Sequence, residues 1–333
     1  MSSGPMVSVI VPVFNSGDKL IPTIESLATQ SLKEIEIVIV NDASTDNTAE
    51  TVDAIAAKYA NVVALHLDVN LGVHEARLEG LKHSTAPWIG FLDSDDFARK
   101  NMFESMLSAA LANDVDIVVC GSDRVTPGRR FIAPKLRFSR SKKISSDIFE
   151  RFCRFEFGTG MLWNKLFRRS VIEPWFDLHF PWRQNINEDL LLNVGCFYQA
   201  DSIYLLRDVL HEYVYVDSSV TSTMDRSWAY VETFRAYASA MVCYQSLGER
   251  ALLNVMEMYR IQIGWADYQV VNVEDLKPHD ARLQEAIHLL YQENFDSLSA
   301  IIARPKLSTV GVKVAVKSIY VAVLKALRYI FRF

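Results

Sequence analysis

Asp93, Asp95 and Asp96 fall within four positions of one another in "GFLDSDDF" (90–97), directly behind an apolar run. Three carboxylates so close repel one another at neutral pH. A hard divalent cation relieves that repulsion, because Mg²⁺ and Mn²⁺ prefer carboxylate oxygens. A D-x-D pair on a tight turn offers two carboxylates to one ion, and one or two carboxylates plus substrate phosphates commonly hold such a cation. A solvated acidic turn is the plainer alternative. Asp42, in "VNDASTDNT" (40–48), follows another apolar run. A carboxylate there can accept the N–H of a ligand base, although Asp42, Ser44 and Asp46 equally suit a helix start. In "NLGVHEARLEG" (70–80), Gly72 permits a tight entry into a helix, and Ala76 and Gly80 leave room for close packing. Arg77 falls on the side towards the ligand edge, within reach of phosphate or of the DSDD carboxylates. An ordinary exposed arginine is the competing reading.

The elements that position these groups alternate along the first 120 residues. "VSVIVPVF" (7–14), "IEIVIV" (35–40), "VVALHL" (62–67), "WIGFLD" (88–93) and "DIVVCG" (116–121) are short and rich in Val and Ile. Near-continuous apolar runs suit parallel strands covered on both faces. Helix-length segments lie between them at 18–30, 45–60, 72–84 and 100–113, the second with Ser44 or Thr45 as its predicted N-cap. This order predicts an α/β sandwich with a mostly parallel sheet. Ligands in such sheets sit beyond the carboxyl ends of the strands, where Asn15, Asp42, Asn70 and the DSDD group all fall.

The composition narrows the function. Half of the 333 residues are hydrophobic and the net charge is −5, so a general nucleic-acid binder, usually basic, is not expected. Cys120, Cys153, Cys196 and Cys243 form no CxxC pair, which reads as reduced, buried thiols in a cytosolic protein. No secretory signal is recognised before the first strand. Neither G-x-G-x-x-G after that strand nor a GK[ST] phosphate loop occurs, so a dinucleotide dehydrogenase and a P-loop NTPase both lose support.

Residues 121–225 are less regular and rich in aromatics and Arg, and from 226 the pattern turns helical. The stretch 306–333 carries Lys306, Lys313, Lys317, Lys325, Arg328 and Arg332 and no acid. At helical spacing these six fall within an arc of roughly 120°. Lys interrupts the apolar positions too often for a transmembrane span. A helix lying in an anionic membrane interface is predicted, with a core-packed helix as the alternative.

Taken in order, "VSVIVPVFN", "VNDASTD", "NLGVHEAR" and "FLDSDD" resemble the family 2 glycosyltransferases of the GT-A fold, over about residues 7–225. The resemblance implies a Rossmann-like α/β/α sandwich with a C-terminal helical extension. Its expected parts are a nucleotide-sugar-binding half (1–120), an acceptor-binding half (121–225), a helical region (226–305) and the basic helix (306–333). It implies an inverting transferase that uses a nucleotide-diphosphate sugar and a divalent cation, Mn²⁺ or Mg²⁺, and acts on a glycan or glycolipid acceptor at the cytoplasmic face of a membrane.

The resemblance also assigns roles. Pro12, Phe14 and Asn15 border base and ribose, Asp42 holds the base, favouring uracil, and Arg77 sits beside the diphosphate. Asp93 and Ser94 contact ribose or cation-bound water. Asp95 is the principal metal ligand, with Asp93 and Asp96 able to share that role. The "NED" at 187–189 supplies Asp189 as catalytic base and Glu188 as its neighbour at the acceptor; a helix N-terminus is the bland reading of the same residues. "WNKLFRR" offers Trp163, Asn164 and Lys165 on the acceptor side, and His211 is a candidate further ligand for metal or phosphate. "YVYVDSSVT" (213–221) resembles a segment that closes over the diphosphate. Two departures stand out: Leu78 follows Arg77 where many relatives have Asn, and Val214 stands where many carry Arg or Lys. The Q-x-x-R-W motif of processive synthases is absent. A non-catalytic nucleotide-sugar-binding scaffold is the alternative function.

Overall fold

The computed structural model describes residues 4–216, 224–265 and 273–292. The chain divides into two units, one of residues 1–148, 157–179 and 192–223, the other of 149–156, 180–191 and 224–333. The predicted basic helix at 306–333 and residues 217–221 of the predicted closing segment lie outside the described residues.

The first unit is built on one sheet. Strands β1 (Val7–Val13), β2 (Ile35–Asn41), β3 (Val62–His66) and β4 (Trp88–Phe91) run parallel in the order β3-β2-β1-β4. Every residue of β1 and β4 is buried, as continuous apolar runs require of strands covered on both faces. The sheet continues through β9 (Lys165–Arg168), β6 (Ile117–Val125), β10 (Ile203–Val214) and β5 (Phe97–Ala98), with β7 (Phe131–Leu136) on β6 and β8 (Lys142–Ile144) on β10. β9 is antiparallel to both β4 and β6, whereas β6 and β10 are parallel. The architecture is thus the expected α/β fold with a mixed sheet. β9 is a four-residue strand whose pairing comes from its neighbours, so "KLFR" alone carried no strand pattern.

Helices α1 (Leu20–Ala28), α2 (Thr48–Lys58), α3 (Val73–His83) and α4 (Met102–Asn113) match the four predicted segments. Leu20, Ile24 and Leu27 of α1 and Met102, Phe103 and Met106 of α4 are fully buried in the core that covers β1 and β2. The start of α2 differs from expectation. Neither Ser44 nor Thr45 is its N-cap; the helix begins at Thr48, whose N–H donates to Asp46 Oδ1 at 3.0 Å. The hydroxyl of Ser44 and the N–H of Thr45 bond to Asn15 instead. The small residues of α3 do what their size predicts. A Cβ on Gly80 would stand 2.5 Å from Ile10 Cγ2 and 3.1 Å from Val40 Cγ2, so its absence lets α3 lie directly on β1 and β2.

The remaining helices are α5 (Ile148–Cys153), α6 (Arg169–Ile172), α7 (Asp189–Gln199), α8 (Arg226–Cys243), α9 (Glu249–Gln262) and α10 (Asp280–Gln292). In the second unit α8 packs against α9 and α10. Asp225 caps α8 by accepting the Trp228 N–H at 3.0 Å. Its buried Glu232 and Arg235 are answered by Arg282 at 3.3 Å and Glu285 at 2.6 Å. Cys120, Cys153 and Cys196 are buried free thiols and Cys243 is half-buried. No helix among the described residues is long and apolar enough to cross a membrane.

Replacing Gly80 by Ala gains up to about 1 kcal/mol of helix propensity, but overlap in a packed interface costs about 1–3 kcal/mol. The overlap is with an Ile methyl fixed on Cβ, so it dominates. Gly80→Ala is expected to lower the urea midpoint of unfolding, with the slope unchanged; a midpoint equal to or above the parent's contradicts the packing.

Candidate functional site

The carboxyl ends of β1, β2 and β3 are bound into one surface by polar side chains. Asn15 and Ala43 both adopt left-handed backbone, with φ of 49° and 52°, a conformation uncommon for residues other than glycine. Two bonds join Asn15 to the residues that follow Ala43: Asn15 N–H donates to Ser44 Oγ at 2.9 Å, and Thr45 N–H to Asn15 Oδ1 at 2.8 Å. Asp42, only 3% exposed, accepts the N–H of Leu71 at 2.7 Å through one oxygen and that of Gly72 at 2.8 Å through the other. It therefore fixes the entry to α3. A carboxylate has about four acceptor positions, so capacity for a further donor remains. Pro12 and Val13 close the buried strand β1, and Phe14 beyond them is 46% exposed, an aromatic face on the ligand edge.

The turn after β4 sorts its three aspartates into different environments. Asp93 accepts from Arg77 Nη2 at 2.9 Å, and the Arg77 side chain is only 3% exposed. This excludes the exposed-arginine reading. Ser94 Oγ lies 3.2 Å from Ser16 Oγ, and its carbonyl accepts from Thr23 Oγ1 at 3.0 Å. Asp96 is buried: one oxygen accepts the Val214 N–H at 2.8 Å, the other lies 3.3 Å from His211 Nε2. Asp95 is the exposed member. Its carboxyl is nevertheless pushed up to about 7, first by the surrounding protein and then by the charges of Asp96 and Asp93. Burial likewise holds the Asp96 carboxyl well above its usual range, while the Val214 N–H and the Lys135 charge oppose the shift.

Aromatic residues line the turn's other flank. The Trp163 ring stacks on His211, centroids 4.1 Å apart and planes 15° from parallel. Burial lowers the His211 pKa to about 3, so the imidazole is neutral, and its Nδ1 lies 3.0 Å from Ser122 Oγ. Lys135, from β7, places Nζ 3.9 Å from the Tyr213 ring centroid and 5.7 Å from that of Trp163. Its ammonium acts on both Asp96 and Asp93, and burial followed by the Arg124 charge brings its pKa down to about 8. Sequence reasoning passed over Lys135, a single lysine in an edge strand with no motif around it. Asn164 and Lys165 are buried. Asn164 donates to the Cys120 carbonyl at 3.1 Å, and Lys165 donates to Asn164 Oδ1 at 3.0 Å and to the Met161 carbonyl. These side chains shape the loop that presents Trp163.

The chemistry of this donor set fits a divalent cation. Asp95 is an exposed carboxylate whose like-charged neighbours raise its proton affinity, and a cation answers the same repulsion as a proton. Asp93 stands beside it with Arg77 on one oxygen. Among the described residues no group of three or more His, Cys, Asp or Glu is placed to hold a metal ion by itself, so oxygens from a ligand would have to complete the shell.

In the second unit Asp189 opens α7 and is 8% exposed, which bears out the helix-start reading. Asn187, two residues before, has φ of 57°. Its amide donates to Thr233 Oγ1 at 2.9 Å and its carbonyl oxygen accepts from Gln262 Nε2 at 2.6 Å. Gln184 donates to the carbonyls of Ile186 and Glu232 at 2.7 and 2.8 Å. The backbone before Glu188 and Asp189 is thereby held against α8 and α9, through partners far away in sequence.

Comparison with known proteins adds a family to this geometry. Residues 8–176 match the model of "Glycosyl transferase family 2". The chain is 31% identical over 220 residues to the uncharacterized glycosyltransferase EpsJ of Bacillus subtilis (strain 168), 65% of this chain and 63% of EpsJ. It is 33% identical over 171 residues to the poly(ribitol-phosphate) beta-N-acetylglucosaminyltransferase TarP of Staphylococcus aureus (strain N315), 50% of each. The matched stretches thus span less than two thirds of either relative. The crystal structure of S. aureus TarS 1–349 in complex with UDP-GlcNAc superposes with a TM-score of 0.67 at 19% identity, covering 97% of this chain and 91% of that one. This likeness establishes the shared fold.

Protonation of Asp95 gives a test in the absence of metal and ligand. Its folded pKa of about 7 lies above the ordinary value of 3.8, so between these values the folded form binds more protons than the unfolded chain. Stability therefore falls as pH rises across that window. Asp95→Asn removes the penalty. It is expected to raise the melting temperature over the parent at pH 8, with the gain shrinking from pH 7 towards pH 4. A difference independent of pH rules this environment out.

Proposed function

The chain belongs to glycosyl transferase family 2, and we propose that it moves a sugar from a UDP-sugar to a hydroxyl of a lipid-linked or growing glycan, with inversion. The observation carrying this reading is the Asp93–Arg77 pair beside an exposed Asp95, at the same sheet edge as Asp42 and Phe14. That edge supplies an acceptor for a base, an aromatic face, and paired carboxylates and cations for a diphosphate. The TarS complex with UDP-GlcNAc and the name of TarP favour UDP as the nucleotide and an N-acetylhexosamine as the sugar.

In this reading Pro12, Phe14 and Asn15 border base and ribose, and the free acceptor positions of Asp42 take the base N–H. Asp95, with Asp93 beside it, holds Mn²⁺ or Mg²⁺; such an ion offsets negative charge on the leaving diphosphate without proton transfer. Arg77 fixes the Asp93 carboxylate, and Lys135 adds a second cation facing the phosphates. Negative charge grows on the leaving oxygen as the sugar–phosphate bond breaks, so preset cations lower the barrier more than they lower the ground state. Asp189 takes the proton from the acceptor hydroxyl as it attacks the anomeric carbon opposite the departing diphosphate, with Glu188 orienting it. Trp163, 3% exposed and stacked on His211, backs the acceptor side from within the core and does not itself face the sugar. The basic stretch 306–333 holds the enzyme at the cytoplasmic face of a membrane, where a lipid-linked acceptor resides.

A positioned base contributes about 10²–10⁴-fold. Asp189→Asn is expected to lower transfer from UDP-GlcNAc by that factor while UDP binding stays within about twofold of the parent's, because the base acts on the acceptor and not on the nucleotide. Undiminished turnover removes Asp189 from the base role. Undiminished turnover of the parent after exhaustive chelation removes the metal. Parent protein that binds UDP-sugar but transfers to no acceptor supports the scaffold alternative.

Lys135 is expected to act on phosphate only. A charge-assisted contact is worth about 1.5–3 kcal/mol, so Lys135→Ala should weaken UDP by about tenfold or more and leave uridine unchanged in calorimetric titration. An equal loss for both ligands contradicts that role.

A further inference from the structure

Strands β6 and β10 send alternate residues to opposite faces of the sheet, and the two faces treat their charges differently. On one face Asp123 and Glu212 stand opposite each other in register. Both acids are already taken. Asp123 pairs with Arg99 at 2.9 Å and with Arg137, and Glu212 with Arg99 at 3.1 Å and Arg129 at 2.8 Å. On the other face Arg124 stands opposite Tyr213. Arg124 is exposed, and its side chain has no ion pair or hydrogen bond with any described residue. Its guanidinium carbon lies 5.9 Å from the ring centroid of Tyr215, which is 38% exposed.

An irregularity brings a second cation to this face. Where β7 pairs with β6, Pro134 stands opposite Asp123 and Leu136 opposite Ser122, so Lys135 is the extra residue of a β-bulge. Bulges beside functional sites re-aim a side chain. Here Lys135 Nζ is brought 3.9 Å from the ring centroid of Tyr213, the residue opposite Arg124. The Arg124 charge acts against that of Lys135, so two like charges share one face. An anion beside Arg124 relieves that repulsion.

The donor does not use up these charges. With the proposed donor bound, Arg77 and Lys135 balance Asp93 and Asp95, and a divalent cation balances the diphosphate. Arg124 remains in excess, on a strand that the same reading gives largely to the acceptor. We propose that Arg124, packed on Tyr215, binds a phosphate group carried by the acceptor, which makes the acceptor a phosphorylated sugar or polyol and not a neutral glycan. A guanidinium directs two N–H groups onto phosphate oxygens. The exposed ring beside it offers an apolar face to the carbons attached to that phosphate. A phosphodiester within a glycan and the phosphate joining a glycan to a lipid carrier both present this chemistry.

The charge balance rests on the donor reading, and the test keeps the two apart. Calorimetric titration of the full chain with Mg²⁺ first measures UDP. The UDP-saturated protein is then titrated with glycerol, with glycerol 3-phosphate, and with polyprenyl diphosphate N-acetylglucosamine in detergent micelles. The parent is expected to bind glycerol 3-phosphate and not glycerol. Arg124→Ala should weaken glycerol 3-phosphate by about tenfold or more, and UDP by no more than about twofold. Arg124→Lys should recover part of the loss. The same loss confined to the micellar probe also supports the site and assigns its phosphate to the lipid carrier. Equal binding of both phosphate probes by parent and Arg124→Ala overturns the proposal, as does a UDP-bound parent that takes up neither. Arg124→Ala that weakens UDP as much as it weakens the phosphate probes assigns Arg124 to the donor and overturns it too. A parent that fails to bind UDP refutes the donor reading instead; the phosphate titrations of parent and Arg124→Ala without nucleotide then decide the site.

Discussion

The Arg77 guanidinium, with 3% of its side chain exposed, is a charge that the protein must answer internally, and Asp93 answers it at 2.9 Å. Removing one partner of a buried ion pair typically costs about 3–5 kcal/mol, because the other charge is left without compensation. Asp93 is itself 34% exposed, so the heavier penalty falls on the arginine. The pair joins α3 to the end of β4, and Asp42 joins the start of α3 to the end of β2. Helix α3 is thus fixed at its entry, along its face by the absent Cβ of Gly80, and through Arg77 to the acidic turn. The direction in which Asp95 emerges depends on all three.

The neighbouring charges are handled by separation. Asp96 and His211 are both buried, and burial drives each towards its neutral form. Asp93 has Arg77, and only Asp95 is left at the surface with like charges behind it. With Asp96 driven neutral, Arg77 and Lys135 face the two remaining acids, Asp93 and Asp95. A divalent cation would turn that balance into an excess of positive charge, to which a diphosphate would be attracted.

The ordering of β1 to β4 and their helices was legible because continuous Val/Ile runs have few other fates, and the polar clusters at their ends were legible by position. Asp42 and Arg77 were assigned to the correct edge, and the DSDD carboxylates were legible as partners of Arg77, but the partners of Asp42 were not readable. Leu71 and Gly72 are contacted through backbone N–H groups, which leave no trace in residue type. The start of α2 was misplaced because Ser44 and Thr45 suit a cap equally well; their bonds to Asn15, about thirty positions away, decided otherwise. β9 and Lys135 were invisible for the same reason, since each gains its role only from strands distant in sequence. Asn164 and Lys165 were placed on the acceptor side through the family resemblance alone, whereas they are buried and turned towards backbone carbonyls.

Asn15, Ala43 and Asn187 share one property that sequence conceals: left-handed backbone without glycine. Such conformations cost of order 1 kcal/mol or more and persist only where surrounding bonds over-determine them. Asn15 and Asn187 each have side-chain bonds that do so. Ala43 has none of its own and is held between Asp42, fixed to the loop at 71–72, and Ser44, whose hydroxyl accepts from Asn15. A glycine there would relieve the strain but would widen the states open to the unfolded chain and to the turn. Alanine keeps the turn narrow at the cost of local strain. The strain thus marks the place where the loops after β1 and β2 must stay in register, so that Phe14 and Asp42 face one ligand together.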